Sequence, residues 1–162
     1  MRGPGVFREY WGKPEATAES FTADGWFRTG DCAERDADGY FRILGRLSAD
    51  IIKSGGFKLS ALDIERVLLE HPDVAECAVL GVADAVYGEK VAAVAVLRAG
   101  SALLALEAGG AREAALLAGV RAWGRDRIAA YKLPSIARVL DEMPRNAMGK
   151  VNKKELRKAL FG

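Results

Sequence analysis

The sequence predicts an α+β fold, a small β-rich segment followed by a compact mixed domain. Three observations predict it. Turn signals and aromatic runs crowd the first 46 residues. Ile64, Val67 and Leu68 recur at helical spacing behind a good N-cap. Two apolar runs, 74–82 and 90–97, read as strands. With 162 residues, 50% hydrophobic and 28% charged, the chain suits one ordinary domain, or one plus a fragment, and is long enough to bury a real core. A net charge of +2 is too small to argue by itself for nucleic acid or an anionic membrane. Cys32 and Cys77 lie far apart without CxxC spacing, so neither zinc nor a disulfide framework is indicated, and both read as reduced core cysteines. No apolar run approaches the ~20 residues of a membrane span. The opening Met1-Arg2-Gly3-Pro4-Gly5 has no signal-peptide core and reads as the start of a fragment.

Taken in order, Val6, Phe7, Tyr10 and Trp11 form an apolar patch, and Lys13-Pro14-Glu15 is a candidate helix start with Pro14 in the first turn. Asp24-Gly25 is a turn, and residues 26–31 read as an aromatic strand ending in Gly30 and Asp31. Asp36-Ala37-Asp38-Gly39 separates two runs as a hairpin turn; its acidic pair lacks the oxygen ligands of a calcium loop. Ile51-Ile52 is a short buried strand leading into a Gly55-Gly56 turn. Ser60 and Asp63 have capping-box spacing, Pro72 ends the helix, and His71 reads as its C-terminal cap. His71 is the only histidine, so no Ser-His-Asp or Cys-His triad stands out. The run 90–97 is apolar throughout, as expected of a central strand covered on both faces, with a loop at 83–89 before it. Residues 101–119 read as a loose insertion leading into a helix over about 112–129, which Gly119 and Gly124 weaken by roughly 1 kcal/mol each relative to alanine. A break at Tyr131-Lys132-Leu133-Pro134, a strand over 136–140, a flexible loop over 144–150 and a basic amphipathic helix over 153–161 complete the chain.

Two features call for a chemical account. Thr29-Gly30-Asp31 and Gly45-Arg46 are joined by a hairpin that brings their ends together. A carboxylate that accepts hydroxyls beside a forked donor is what ribose recognition requires; the alternative is a surface arginine before a glycine hairpin. Gly149-Lys150 is not a Walker A loop, because the upstream glycine is absent and Val151 follows. Lys150 is either a point charge for a phosphate or a solvated lysine in a basic tail.

The motifs Trp26-Phe27-Arg28-Thr29-Gly30-Asp31, Gly45-Arg46 with Asp50-Ile51-Ile52-Lys53-Ser54-Gly55-Gly56, Asp63-Ile64-Glu65, Tyr131-Lys132-Leu133-Pro134 and Pro144-Arg145-Asn146-Ala147-Met148-Gly149-Lys150 stand in order along nearly the whole chain. In order and spacing this set resembles the adenylate-forming (ANL) superfamily of acyl-CoA synthetases, peptide-synthetase adenylation domains and firefly luciferase. Its wording is most similar to the malonyl-CoA synthetase branch.

The resemblance implies a small mobile C-terminal domain over 51–162, a hinge at 47–50, and in 1–46 the β-rich end of a large nucleotide-binding N-terminal domain. It implies a two-step reaction: a carboxylate, here malonate or methylmalonate, attacks the α-phosphate of ATP, and coenzyme A then takes the acyl group and releases AMP. Asp31 and Arg46 would bind the nucleotide and Lys150 would reach the acyl and phosphate oxygens, sharing that task with Mg²⁺. Rotation about Asp50 would withdraw Lys150 and bring Gly55 and Gly56 to the pantetheine arm. Lys58 would meet a coenzyme A phosphate, or is a solvated strand lysine. The phosphate loop and acyl pocket of the family are not in this sequence, so the chain is expected to be a catalytically incomplete piece whose partner is the N-terminal domain. A mitochondrial, plastid or cytoplasmic setting is implied without a choice among them. The alternatives are a synthetase for a medium-chain fatty or aryl acid, and a non-catalytic nucleotide or coenzyme A binding module. A nucleic-acid module using Lys150, Lys153, Lys154, Arg157 and Lys158 is disfavoured by the lack of interleaved aromatics and by Glu155.

Overall fold

A computed structural model describes residues 1–162. The α+β architecture is present as two sheets with four α-helices. The first helix, α1 (Pro14–Ser20), has its proline in the first turn. Around it Phe7 stands edge-on to Phe21 and Phe27, with ring centroids 5.8 and 5.0 Å away. Residues 26–30 are not the expected strand: only Phe27 makes a bridge, to Phe21, and Gly30 at φ +75° turns the chain before pairing begins. The hairpin is β1 (Asp31–Arg35) with β2 (Phe41–Arg46), and Asp36 holds its turn by accepting from the N–H of Tyr40.

The larger sheet is organised by one strand. β3 (Ile51–Ser54) and β4 (Phe57–Ser60) form the glycine hairpin, while β5 (Val74–Asp84) and β6 (Gly88–Leu97) form a long antiparallel pair. The other edge of β6 is shared: its start pairs with β3 at Gly88, and Ala92 to Val96 pair in parallel with β7 (Ile136–Leu140). The expected loop at 83–89 is only a tight turn, because Asp84 accepts from the N–H groups of Val86 and Tyr87 and the ladder continues to Asp84.

Because successive strand residues face opposite ways, β6 feeds two cores. Val91, Ala93, Ala95 and Leu97 pack with α2 (Ala61–Leu69) and α3 (Gly110–Gly124). Ala92 and Val94 pack with Ala78, Leu80 and Leu156 of α4 (Lys153–Phe161). The central strand covered on both faces is therefore present.

Four further expectations change. Ser60 caps α2 by accepting from the Asp63 N–H at 3.2 Å, but the Asp63 carboxylate does not close the box; it pairs with Arg42 and Lys132 instead. His71 does not cap: it is buried, its Nδ1 accepts from the Asp73 N–H, and its ring lies edge-on to Trp123. The helix expected to reach residue 129 ends at Gly124, where a Cβ would stand 2.7 Å from Leu133 Cδ2. Gly119 lies inside it, against His71 Nε2, so both glycines make room for neighbours. The stretch before α3 is not wholly loose, since it carries a 3₁₀ turn at Ala102–Ala105. No helix is long and apolar enough to cross a membrane.

Leu68 is fully buried between α2 and the sheet, so Leu68→Ala is expected to cost about 2–5 kcal/mol in urea unfolding. Burial lowers the pKa of His71, with Asp73 opposing. Unfolded, the ring takes a proton near pH 6.5, whereas the folded ring takes it only lower. His71 therefore leaves stability intact above about 6.5 and erodes it as pH falls toward the folded value. Urea midpoints between about pH 5 and 7.5 should fall with acidification, and His71→Gln should flatten that part of the profile.

Candidate functional site

The β1–β2 register sets Asp31 directly opposite Arg46. Arg46 Nε lies 3.0 Å from Asp31 Oδ1, and its NH1 donates to the Thr29 carbonyl at 2.6 Å. The tight path at Gly30 permits this, since a Cβ there would stand 3.4 Å from the same NH1. The guanidinium is 62% exposed and the carboxylate 32% exposed, so the pair faces solvent with its fork already oriented.

Residues 47–50 leave this hairpin as a compact turn. The N–H groups of Ala49 and Asp50 donate to the Arg46 carbonyl, and Leu47 N–H donates to Gly30. The Asp50 carboxylate folds back to accept from the Arg46 N–H at 2.9 Å. Gly45 makes this possible: at φ +127°, a Cβ would stand 2.4 Å from Asp50 Cβ. Asp50 also accepts, through its carbonyl, from Ala61 N–H at the head of α2.

Gly55 and Gly56 adopt φ +55° and +83°, the left-handed pair that a two-residue hairpin with the twist of its strands requires. Both are exposed, as is Lys58. Next to them Phe57 stacks on Tyr131, with centroids 4.5 Å apart and planes 7° from parallel. Beyond Tyr131 a cavity of about 200 Å³ is lined by Ser54, Tyr87, Lys90, Val91, Leu133 and Ser135.

The loop over 144–150 is not flexible in the sense expected. Arg145 bridges to Val151, and Asn146 Oδ1 accepts from the N–H groups of both Met148 and Lys150 at 3.0 Å. Gly149 at φ +75° closes the turn, and Arg145 donates to its carbonyl while pairing with Glu76. This turn presents the Lys150 side chain to solvent.

The structure thus joins Asp31 to Arg46, and Asp50 to the backbone of Arg46. Gly55, Gly56 and Lys58 stand at a second corner and Lys150 at a third. Sequence reasoning missed Lys153, named above only among the basic residues of a disfavoured nucleic-acid module. Its ammonium is buried, 2.6 Å from Asp50 Oδ1 and 2.7 Å from Glu65 Oε1. A signal was present: Lys153, Leu156 and Leu160 share the i, i+3, i+7 face of α4, and Glu65 precedes Leu68 by three on α2. Cys77 is partly buried close to this cluster, and that burial pushes its thiol up to about 12. No group of three or more histidine, cysteine or acidic side chains is arranged to hold a metal.

Gly45→Ala forces both a clash with Asp50 and an unfavourable φ. It should cost on the order of 1–3 kcal/mol in thermal unfolding. It should also expose residues 47–50 to proteolysis, and a variant as stable and as resistant as the parent would refute this account of the turn.

The AMP-binding enzyme C-terminal domain family matches residues 63–150. A malonate–CoA ligase of Arabidopsis thaliana is 52% identical over 160 residues, covering 99% of this chain and 26% of that protein. The crystal structure of ATP-bound MatB from Rhodopseudomonas palustris superposes with a TM-score of 0.78 at 39% identity, covering 98% of this chain and 29% of that one. Apo MatB from the same organism, also 39% identical and with the same coverage, superposes with a TM-score of 0.60. The chain spans about a quarter of the length of the curated relatives it matches. With more than half of its residues inside the family match and the α+β fold shared with MatB, the chain belongs to the AMP-binding enzyme C-terminal domain family.

Proposed function

We propose that this chain is the C-terminal part of an AMP-forming acyl-CoA synthetase that activates malonate, or its methyl homologue, as an acyl-adenylate and passes it to coenzyme A. The observation that carries the reading is the 52% identity, across 99% of the chain, to a malonate–CoA ligase. The proposed substrates are ATP, the dicarboxylic acid and coenzyme A. The proposed protein partner is the N-terminal domain, against which the exposed Tyr40, Phe41 and Ile43 would pack.

In this reading residues 1–46 close the large domain, 47–50 form the hinge about Asp50, and 51–162 form the small domain. Asp31 receives the ribose hydroxyls on its free oxygen while Arg46 orients the carboxylate and adds a contact to the nucleotide. Lys150 supplies positive charge where it builds on the phosphoryl oxygens, and the Asn146 turn fixes its backbone in advance. Mg²⁺ would accompany the nucleotide phosphates and lower the same charge; this chain contributes no ligand cluster for it. In the second step Gly55 and Gly56 would leave room for the pantetheine arm, and the exposed Lys58 would meet a coenzyme A phosphate. Lys150 and Gly55-Gly56 occupy separate exposed corners of one small domain, which suits a rotation that presents them in turn.

The test is malonyl-CoA formation from malonate, ATP, Mg²⁺ and coenzyme A by the full-length protein. Lys150→Ala should lower adenylate formation by about 100-fold or more. Adenylate formation with other acids but not malonate would refute the substrate assignment, and an unaffected Lys150→Ala would refute the role of the lysine.

A further inference from the structure

We propose that Lys153 is a positioning residue, the latch that holds the hinge in the arrangement seen here by clasping Asp50. The proposal rests on the reading of 47–50 as a hinge. Its core is one carboxylate with an oxygen on each side of that segment. Asp50 Oδ2 accepts from the Arg46 N–H at 2.9 Å, on the hairpin side. Asp50 Oδ1 accepts from Lys153 Nζ at 2.6 Å, on the small-domain side. The two oxygens belong to one rigid planar group. A rotation about 47–50 that moves α4 relative to β2 cannot keep both bonds.

The surroundings make the Lys153 bond the one suited to switching. Glu65 Oε1 lies 2.7 Å from the same ammonium and also accepts from Val79 N–H at 2.7 Å, so Glu65 is fixed to the sheet within the small domain. When Asp50 leaves, Lys153 keeps a counterion. An ammonium abandoned in an apolar site would make the switch prohibitive. The side chains of Lys153, Asp50 and Glu65 are only 12%, 13% and 13% exposed, so the pairing is sheltered from water. Buried ion pairs add little net stability compared with apolar packing, and a register or switch role is their best-attested use.

The latch also reaches the Lys150 turn. Lys153 opens α4, Asn152 caps that helix by accepting from Glu155 N–H, and Asn152 N–H donates to the Pro144 carbonyl at the root of the turn. Clasping Lys153 to Asp50 therefore sets the position of Lys150 relative to the hairpin that carries Asp31 and Arg46. The arrangement here superposes better on ATP-bound MatB than on apo MatB, a difference between those two structures.

The experiment uses the full-length protein with Lys153→Met, Lys153→Arg and, as a reference, Lys150→Ala. Adenylate formation is read by malonate-dependent ATP–pyrophosphate exchange, and thioester formation by a single turnover of preformed malonyl-adenylate with coenzyme A. Lys153→Met is expected to slow exchange by about tenfold or more while thioester formation stays within about threefold. Lys153→Arg, which keeps the charge, should restore exchange. Trypsin cleavage after Arg46 should be at least about threefold faster in Lys153→Met, because the turn is no longer held. Equal losses in both half-reactions, or no loss in either, would overturn the latch. Should Lys153→Met fail to fold, Asp50→Asn removes the same charge pair and carries the same expectations. If Lys150→Ala leaves exchange intact, the proposed site is at fault, and the trypsin comparison alone then decides the latch.

Discussion

The small domain depends on β6 being buried on both faces. A strand of this kind cannot leave either side to water, so the chain must supply a layer above and a layer below. Helices α2 and α3 cover one face and α4 the other, and the run Ala92, Ala93, Ala95 keeps the layers close. The requirement also fixes the edges. β3 and β7 divide one side of β6 between them, so β3 carries Asp50 just before its start and the Gly55-Gly56 turn at its end. The candidate site residues are therefore displaced to turns and strand ends, where no packing demand competes for their side chains.

The exception is α4, which serves both demands. Its apolar face must cover β6 through Leu156, and the same face carries Lys153 inward at its first turn. A lysine on a core-facing stripe is costly unless its charge is met. Here it is met twice, once by Glu65 inside the domain and once by Asp50 at the domain's boundary. The cover of the sheet and the position of Asp50 are thus tied through one side chain. That tie explains why Gly45, one strand away, has no space for a Cβ: Asp50 must fold back over it to reach both partners.

Much of this was legible in the sequence, and the failures have physical causes. The order of hairpin, glycine turn, capped helix, paired strands and basic helix followed from punctuation and periodicity, and the structure contains each of them. Asp31 and Arg46 were expected to meet, and their opposed register brings them together. What was missed depended on partners distant in sequence. His71 looked like a cap because Trp123 and Gly119, which bury it, come from another helix. Asp63 looked like half of a capping box until Arg42 and Lys132 competed for it. The turn at 144–150 looked flexible because side-chain capping by Asn146 leaves no periodic trace. Lys153 was hidden by its neighbours: among five basic residues, only helical phase separates the buried one from those in solvent.

A hinge made only of flexible backbone would sample many orientations, and each productive one would be rarely populated. A hinge spanned by one carboxylate, as proposed for Asp50, would have few good states, since Asp50 would either satisfy both neighbours or give up one. If 47–50 is the hinge, the rigid elements on both sides, the β1–β2 hairpin before and the β6-centred sheet after, would turn that local choice into a difference in domain orientation. The exposed corners then need no internal motion of their own. Lys150 sits on a turn closed by Asn146, and Gly55-Gly56 on a two-residue hairpin, so in the proposed rotation each would travel as a fixed part of the small domain. In the proposed reading, precision at the reacting atoms would come from those closed turns, and alternation between them from the four residues that join the two sheets.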